Sequence, residues 1–253
     1  MPHRLIVIAP SHYCEKAAWA LDLAKLDYVR EAHAPLAHVP AVKAAGGRQS
    51  TPVLVVEGTA PRVIDDSTDI LRWIQHQPEA AWRPYGPDDD PAILAWEERF
   101  DAIVGPHARR LAYHHLLDHK DLAVPVMIEG APAWEGALVR WTFPLVRAAM
   151  RKSMRIDADG AQRSRAALLA LFDELDGVLA DGRRYLYGDA LSAADLSFAA
   201  LAAPLLLPAA YPVRLPPLRA LPAAAQADLD GWASRPAGAY GLRIWSERRR
   251  PAA

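Results

Sequence analysis

The sequence predicts two units of different class, a small mixed α/β unit followed by a larger all-helical one. Three observations carry this. Residues 1–77 mix short β-branched runs with helical stripes. Residues 78–91, PEAAWRPYGPDDDP, concentrate proline and aspartate and read as a linker. Residues 92–253 show a helical pattern nearly throughout. The 253 residues fit one large domain or two smaller ones.

The elements follow in order. Leu5-Ile6-Val7-Ile8 is a short apolar run and predicts a buried strand. Residues 14–26 place Cys14, Ala17, Ala18, Leu21 and Ala24 on one helical stripe. Tyr28 to Ala32 predicts a second strand. Residues 33–50 carry Pro35, Pro40, Gly46 and Gly47 and read as a loop with one helical turn near 41–45. Val53–Val56 and Arg62–Ile64 flank Glu57-Gly58-Thr59-Ala60-Pro61, a strand–turn–strand hairpin. Asp66-Ser67 opens a helix to about Gln75. Beyond the linker, 91–119 predicts one long helix kinked at Gly105-Pro106. Helices are also expected over 132–154, 160–180, 192–207 and 218–233. Arg248-Arg249-Arg250 reads as a frayed tail.

Composition excludes several function classes. Lys+Arg 29 against Asp+Glu 30 gives a net charge of −1, so no basic excess exists to hold nucleic acid or an anionic membrane. A single cysteine excludes an internal disulfide framework and a thiolate-rich metal site. Alanine at 50 residues and 24 Arg against 5 Lys read as coding bias. The run from Leu5 to Ala9 is too brief for a signal segment. Leu196 to Ala210 is interrupted by Pro204 and Pro208 and is shorter than a membrane span, so it predicts a buried core helix. A cytoplasmic protein is the expectation. His115 and His119, four apart with Asp118 nearby, lack a firm third metal ligand and read as a solvated helix face.

Four short motifs carry more information. Ser11-His12-Tyr13-Cys14 lies between the first strand and first helix. Ser50-Thr51-Pro52-Val53-Leu54 opens the third strand. Asp66-Ser67-Thr68-Asp69-Ile70-Leu71 opens the next helix. Gly188-Asp189-Ala190-Leu191-Ser192-Ala193-Ala194-Asp195-Leu196 opens a helix of the second unit. Together, in this order, they resemble the cytosolic glutathione transferase family. The resemblance implies a thioredoxin-like N-terminal domain over 1–77 and an all-helical C-terminal domain over 92–253. It covers the first 77 residues and about 185–207 well, and 120–160 not at all.

Each motif also has its own physical reading. Ser11 sits where a helix N-cap belongs, and a helix N-terminus favours an anion. The residues alone leave a cap, or a cap that also does chemistry. The resemblance implies the second, a serine-type enzyme in which Ser11 hydrogen-bonds the glutathione sulfur and favours its thiolate. Cys14, on the apolar stripe, reads as a buried and inert thiol, with thiol–disulfide exchange as the alternative. His12 replaces the family's usual proline and reads as a solvent-facing loop residue. Tyr13 reads as packing in the wall of a second-substrate pocket. The resemblance further implies a cis Thr51-Pro52 bond whose preceding backbone pairs with the cysteinyl part of glutathione. It implies that Asp66 and Ser67 hold the γ-glutamyl end and that Gln49, with Arg48, meets the remaining peptide. Ser192-x-x-Asp195 is a capping box and concerns folding.

The expectation is a glutathione transferase, the detoxification activity of that family. It would conjugate the glutathione thiolate to a small, hydrophobic electrophile. Tyr13, His107 and Tyr113, with Phe100, Ile103 and Arg110 as further candidates, would line the second-substrate pocket. Glutathione is the co-substrate, no metal is implied, and a homodimer is expected. A glutathione-dependent isomerase, a thiol–disulfide exchange enzyme and a non-catalytic binding protein are the alternatives.

Overall fold

The computed structural model describes residues 2–58 and 61–249. The first unit runs β1 (His3–Val7), α1 (His12–Ala24), β2 (Tyr28–Ala32), α2 (His38–Ala44), β3 (Val53–Val56), β4 (Arg62–Ile64) and α3 (Ser67–Gln75). The sheet order is β2-β1-β3-β4, with β1 parallel to β2 and antiparallel to β3, and β3 antiparallel to β4. This is the thioredoxin-like arrangement. Leu5, Ile6 and Val7 are all buried because β1 is central and covered on both faces. The hairpin joining β3 to β4 forms where predicted, although Thr59 and Ala60 of its turn lie outside the described residues.

The second unit is helical: α4 (Pro91–Ala102), α5 (Val104–Leu116), α6 (Lys120–Met127), α7 (Ala133–Met154), α8 (Ala158–Leu179), α9 (Ala193–Leu206), α10 (Ala223–Ala233) and α11 (Pro236–Arg248). The predicted kink in 91–119 is a full break at Ile103, where the chain enters α5. Pro106 then falls in the first turn of α5, where its missing N–H costs nothing. Residues 76–90 hold no helix or strand but are pinned. The Gln75 side chain donates to Gly86 O at 2.7 Å and accepts from Tyr85 N–H at 3.0 Å, and Trp82 Nε1–H donates to Leu191 O at 2.8 Å.

α9 is the axis of the helical unit and is buried along nearly its whole length, as expected for 196–210. Its first turn is held by Asp195, whose carboxylate accepts from Ser192 N–H at 2.7 Å, Ser192 O–H at 2.8 Å, Leu186 N–H at 2.7 Å and the Tyr240 hydroxyl. The predicted capping box thus extends into a buried polar node.

Three expectations are corrected. The helix at 14–26 does not bury one stripe: α1 packs against both α3 and α9, so even Glu15 and Lys16 are buried. The frayed tail is a helix and its cap, with Arg249 paired to Glu15 at 2.7 Å and to Asp22, and Arg248 to Tyr185. Arg250 lies outside the described residues. α6 and α11 were not foreseen, because Pro125 and the glycines at 238 and 241 break their apolar periods. Gly241 serves close packing, since a Cβ there would come within 2.8 Å of Leu206.

Candidate active site

Ser11 ends the β1–α1 turn with an extended backbone and caps α1, its Oγ accepting from Cys14 N–H at 3.4 Å. A serine hydroxyl has one hydrogen to donate beyond the bonds it accepts. Here that hydrogen is not used by the cap. Beside it, Cys14 is buried, and burial pushes its thiol pKa up, while hydrogen bonds with Ser11 and Thr51 pull it down. The structure therefore brings Ser11, Cys14 and Thr51 together. Thr51-Pro52 is cis.

The start of α3 forms the next wall. Asp66 is its N-cap, accepting from Thr68 N–H at 2.8 Å, and Ser67 is buried in its first turn. Thr68 is tied to α1: the Lys16 amine donates to Thr68 Oγ1 at 3.4 Å, to both Asp101 oxygens at 2.7 and 2.8 Å, and to Glu97. Gln49 is exposed, and its carbonyl accepts from His38 at 3.1 Å. Arg48 is exposed and pairs loosely with Asp65 at 3.5 Å.

A cavity of about 110 Å³ is lined by Pro10 and His12, the residues on either side of Ser11 in the chain. Its remaining walls come from α5, α6, the end of α9, residues 207–221 and α10. α5 contributes Arg109, Ala112, Tyr113 and Leu116, at the i, i+3, i+4, i+7 spacing of one helix face, together with Leu111 and His115. Tyr211 also lines it and donates its hydroxyl to Pro10 O at 3.1 Å.

The predicted wall residues separate. Tyr113 lines the cavity. Tyr13 does not: its hydroxyl donates to Asp101 O at 2.7 Å, and its ring lies against Gly105, where any Cβ would overlap it. Burial raises its phenol pKa, first helped by Asp101. His107 also points elsewhere, with Nδ1 at 3.0 Å from Ser164 Oγ. Arg110 joins it there, donating to Ser164 Oγ and to Met154 O, both at 2.7 Å. Phe100 is buried in the core.

Two histidines differ from expectation. His12 is 2% exposed, not solvent-facing, and its Nε2–H donates to Gly105 O at 3.1 Å. Burial, and then the nearby Arg109 charge, lower its pKa to about 3, so it is neutral at physiological pH. His115 is not on a solvated face; it lines the cavity and lies 2.8 Å from Asp228. Among the described residues no group of three or more His, Cys, Asp or Glu is placed to hold a metal. No described helix is long and apolar enough to cross a membrane.

Residues 5–82 match the family model described as glutathione S-transferase, N-terminal domain. No curated protein matches the chain. Solved structures agree with the fold over its full length. A glutathione S-transferase of Ceriporiopsis subvermispora, in complex with glutathione, superposes with a TM-score of 0.66 at 14% identity, covering 100% of each chain. A glutathione transferase of Phanerochaete chrysosporium gives 0.64 at 15%, covering 100% of this chain and 99% of the other. Poplar glutathione transferase F1 gives 0.62 at 17%, covering 98% and 94%.

Proposed function

We propose that this chain, whose residues 5–82 match the glutathione S-transferase N-terminal domain model, binds glutathione and joins it through its sulfur to a small apolar electrophile. The observation that carries this reading is the position of Ser11. It lies in the chain between Pro10 and His12, which both line the apolar cavity, and shares Cys14 as a neighbour with Thr51. A sulfur at the Ser11 hydroxyl would face the cavity while its peptide ran along Thr51 and the start of α3.

The residues divide the work. Ser11 donates its free hydroxyl hydrogen to the sulfur, and the N-terminus of α1 adds partial positive charge. A free thiol has a pKa near 8.5. Lowering it by about 2 units takes roughly 2.7 kcal/mol, within reach of one charge-assisted hydrogen bond and a helix terminus. Thr51, before Pro52, offers backbone groups to the cysteinyl part. Asp66 and Ser67 take the γ-glutamyl amine and carboxylate, and Gln49 the remaining peptide. The thiolate attacks the electrophilic carbon. An S–C bond forms, and the electron pair leaves with a departing group or is neutralised by a proton. Cys14 has no part in this, which fits its buried thiol. Residues 1–77 are proposed as the peptide-binding domain and 92–253 as the domain that selects the electrophile.

The reading includes a homodimer, and α7 offers a surface for it. Trp134, Leu138, Trp141 and Leu145 are 65%, 45%, 84% and 72% exposed and form one stripe. The order is self-complementary. A twofold axis between 139 and 140 on antiparallel copies of α7 sets each tryptophan opposite a leucine, 134 on 145 and 141 on 138, as an isologous interface requires. The opposite face of α7 is already spent on α6 through Phe143, Val146 and Met150.

Titration calorimetry with glutathione, followed by conjugation assays on activated aryl halides, tests the function. Millimolar or tighter binding is expected. Ser11→Ala should cut conjugation about 50-fold at pH 6.5 by returning the thiol pKa toward its free value. Cys14→Ala should leave it nearly intact. The reverse pattern would move the reaction to Cys14, and absence of glutathione binding would leave only the fold.

A further inference from the structure

The cavity beside Ser11 is apolar on most of its wall, through Leu111, Leu116, Val126, Met127, Leu229 and Trp232. Its ionic side chains are few, Arg109 and Asp228, joined by the imidazoles of His12 and His115. Asp228 is already matched, holding His115 Nε2 at 2.8 Å and also Arg165. Arg109 is different. Among the described residues no carboxylate lies within salt-bridge distance of it, and its Nε is buried with no hydrogen-bond partner. The adjacent Arg110, turned to the other side of α5, spends its guanidinium on Met154 O and Ser164.

A buried polar group without a partner costs free energy, and a charged one costs more. Arg109 is half-buried on an apolar wall, and among the described residues no carboxylate pairs with its guanidinium. Its charge is felt across the cavity mouth, where it lowers the pKa of His12 and opposes the burial-driven rise of Tyr113. A planar guanidinium with several donors in a fork is complementary to a carboxylate. The tail of such a ligand would lie along the apolar wall.

We propose that this cavity takes an apolar molecule carrying one carboxylate, with Arg109 as its counter-charge. The inference rests on the reading of the cavity as the second-substrate site and names the class of that substrate, an arylalkanoic or alkanoic acid bearing an electrophilic carbon. Arg109 is its specificity residue.

The test compares 4-phenylbutanoate with 4-phenylbutan-1-ol, which share a tail and differ in charge. Calorimetry on the full chain should give the acid at least tenfold tighter binding than the alcohol. Arg109→Gln should bring the two affinities within about twofold while leaving the alcohol unchanged. Arg109→Lys should keep part of the preference, which also controls for folding. Glutathione affinity should stay within twofold in both variants. Equal binding of acid and alcohol by the wild type overturns the proposal, as does an unchanged preference in Arg109→Gln or no binding of either compound. A parallel loss of glutathione affinity overturns it too, by assigning Arg109 to the peptide. If glutathione fails to bind but the acid preference persists and needs Arg109, the transferase reading falls and the anion site stands.

Discussion

Replacing Lys16 by Met should be among the most damaging single changes in this protein, although lysine usually sits on surfaces. Lys16 and Glu97 are both fully buried, and Asp101 beside them is 20% exposed. Methionine keeps most of the volume and removes the charge. Glu97 would then remain buried next to Asp101, held only by the Thr68 hydroxyl at 2.6 Å and Tyr85 O–H at 3.4 Å. Removing one partner of a buried pair costs about 3–5 kcal/mol. That is a large share of a typical stability of roughly 5–15 kcal/mol, and corresponds to a fall in Tm of about 6–20 °C for a chain of this size. The loss has a pH signature. Burial already raises the Glu97 pKa, opposed chiefly by Lys16. Without Lys16 it rises further, and a raised carboxylate contributes stability below its unfolded pKa of about 4.3 that is lost as pH rises through the folded value. Urea denaturation of Lys16→Met should therefore show a larger deficit at pH 8 than at pH 5. Lys16→Met with Glu97→Gln should recover more than half of it. The same cluster ties α1 to the start of α3, so Lys16→Met should also weaken glutathione binding. A deficit under 1 kcal/mol at pH 8, or a double variant as unstable as the sum of the two singles, would refute the reasoning.

Other expectations follow from the same geometry. Ser192→Ala should cost about 1 kcal/mol as a lost cap, whereas Asp195→Ala strands four buried donors and should cost more than about 3 kcal/mol in the same denaturation assay. Burial pulls the His33 pKa down, but hydrogen bonds to Glu135 at 2.7 Å and Glu31 at 3.2 Å outweigh it and leave it raised. Its contribution is then complete below about pH 6.5 and lost as pH rises through the folded value; His33→Gln should flatten that part of the stability–pH curve. Trp141→Glu should convert a dimer to a monomer in sedimentation equilibrium, and a dimer that persists would place the interface elsewhere.

The parts of the fold that sequence reading found are those written locally. β2, β3 and β4 end where their apolar runs end, and Ser11, Asp66 and Ser192 announce the starts of their helices because a cap needs only its own next turn. Buried charge has no such local sign. Glu15 meets Arg249 across 234 residues, Lys16 meets Glu97 across 81, and Glu135 accepts from Ala34 N–H across 101. Each looks like a surface residue until the chain is closed. Phase was the other obstacle. Tyr113 and Arg110 sit three apart on α5, yet one lines the cavity and the other bonds Ser164, and the break at Ile103 leaves α5 out of the phase that 91–103 would suggest.

The two sides of the candidate site differ in legibility for a physical reason. Peptide recognition of the proposed kind uses helix ends and backbone, so its residues are caps and a proline, and such residues stand out against the pattern around them. The cavity is made largely of the same apolar side chains that fill the core, drawn from six segments, and an apolar wall carries no mark that separates it from packing. What separates them is an imbalance. A core satisfies most of the polar groups it encloses; Arg109 Nε is buried without a partner, as are His38 Nδ1 and Ser197 Oγ, and of the three residues Arg109 is the one that lines the cavity. The adjacent pair Arg109-Arg110 reads in the sequence as two equal cations; in the fold Arg110 is spent on Met154 O and Ser164, whereas Arg109 Nε has no partner.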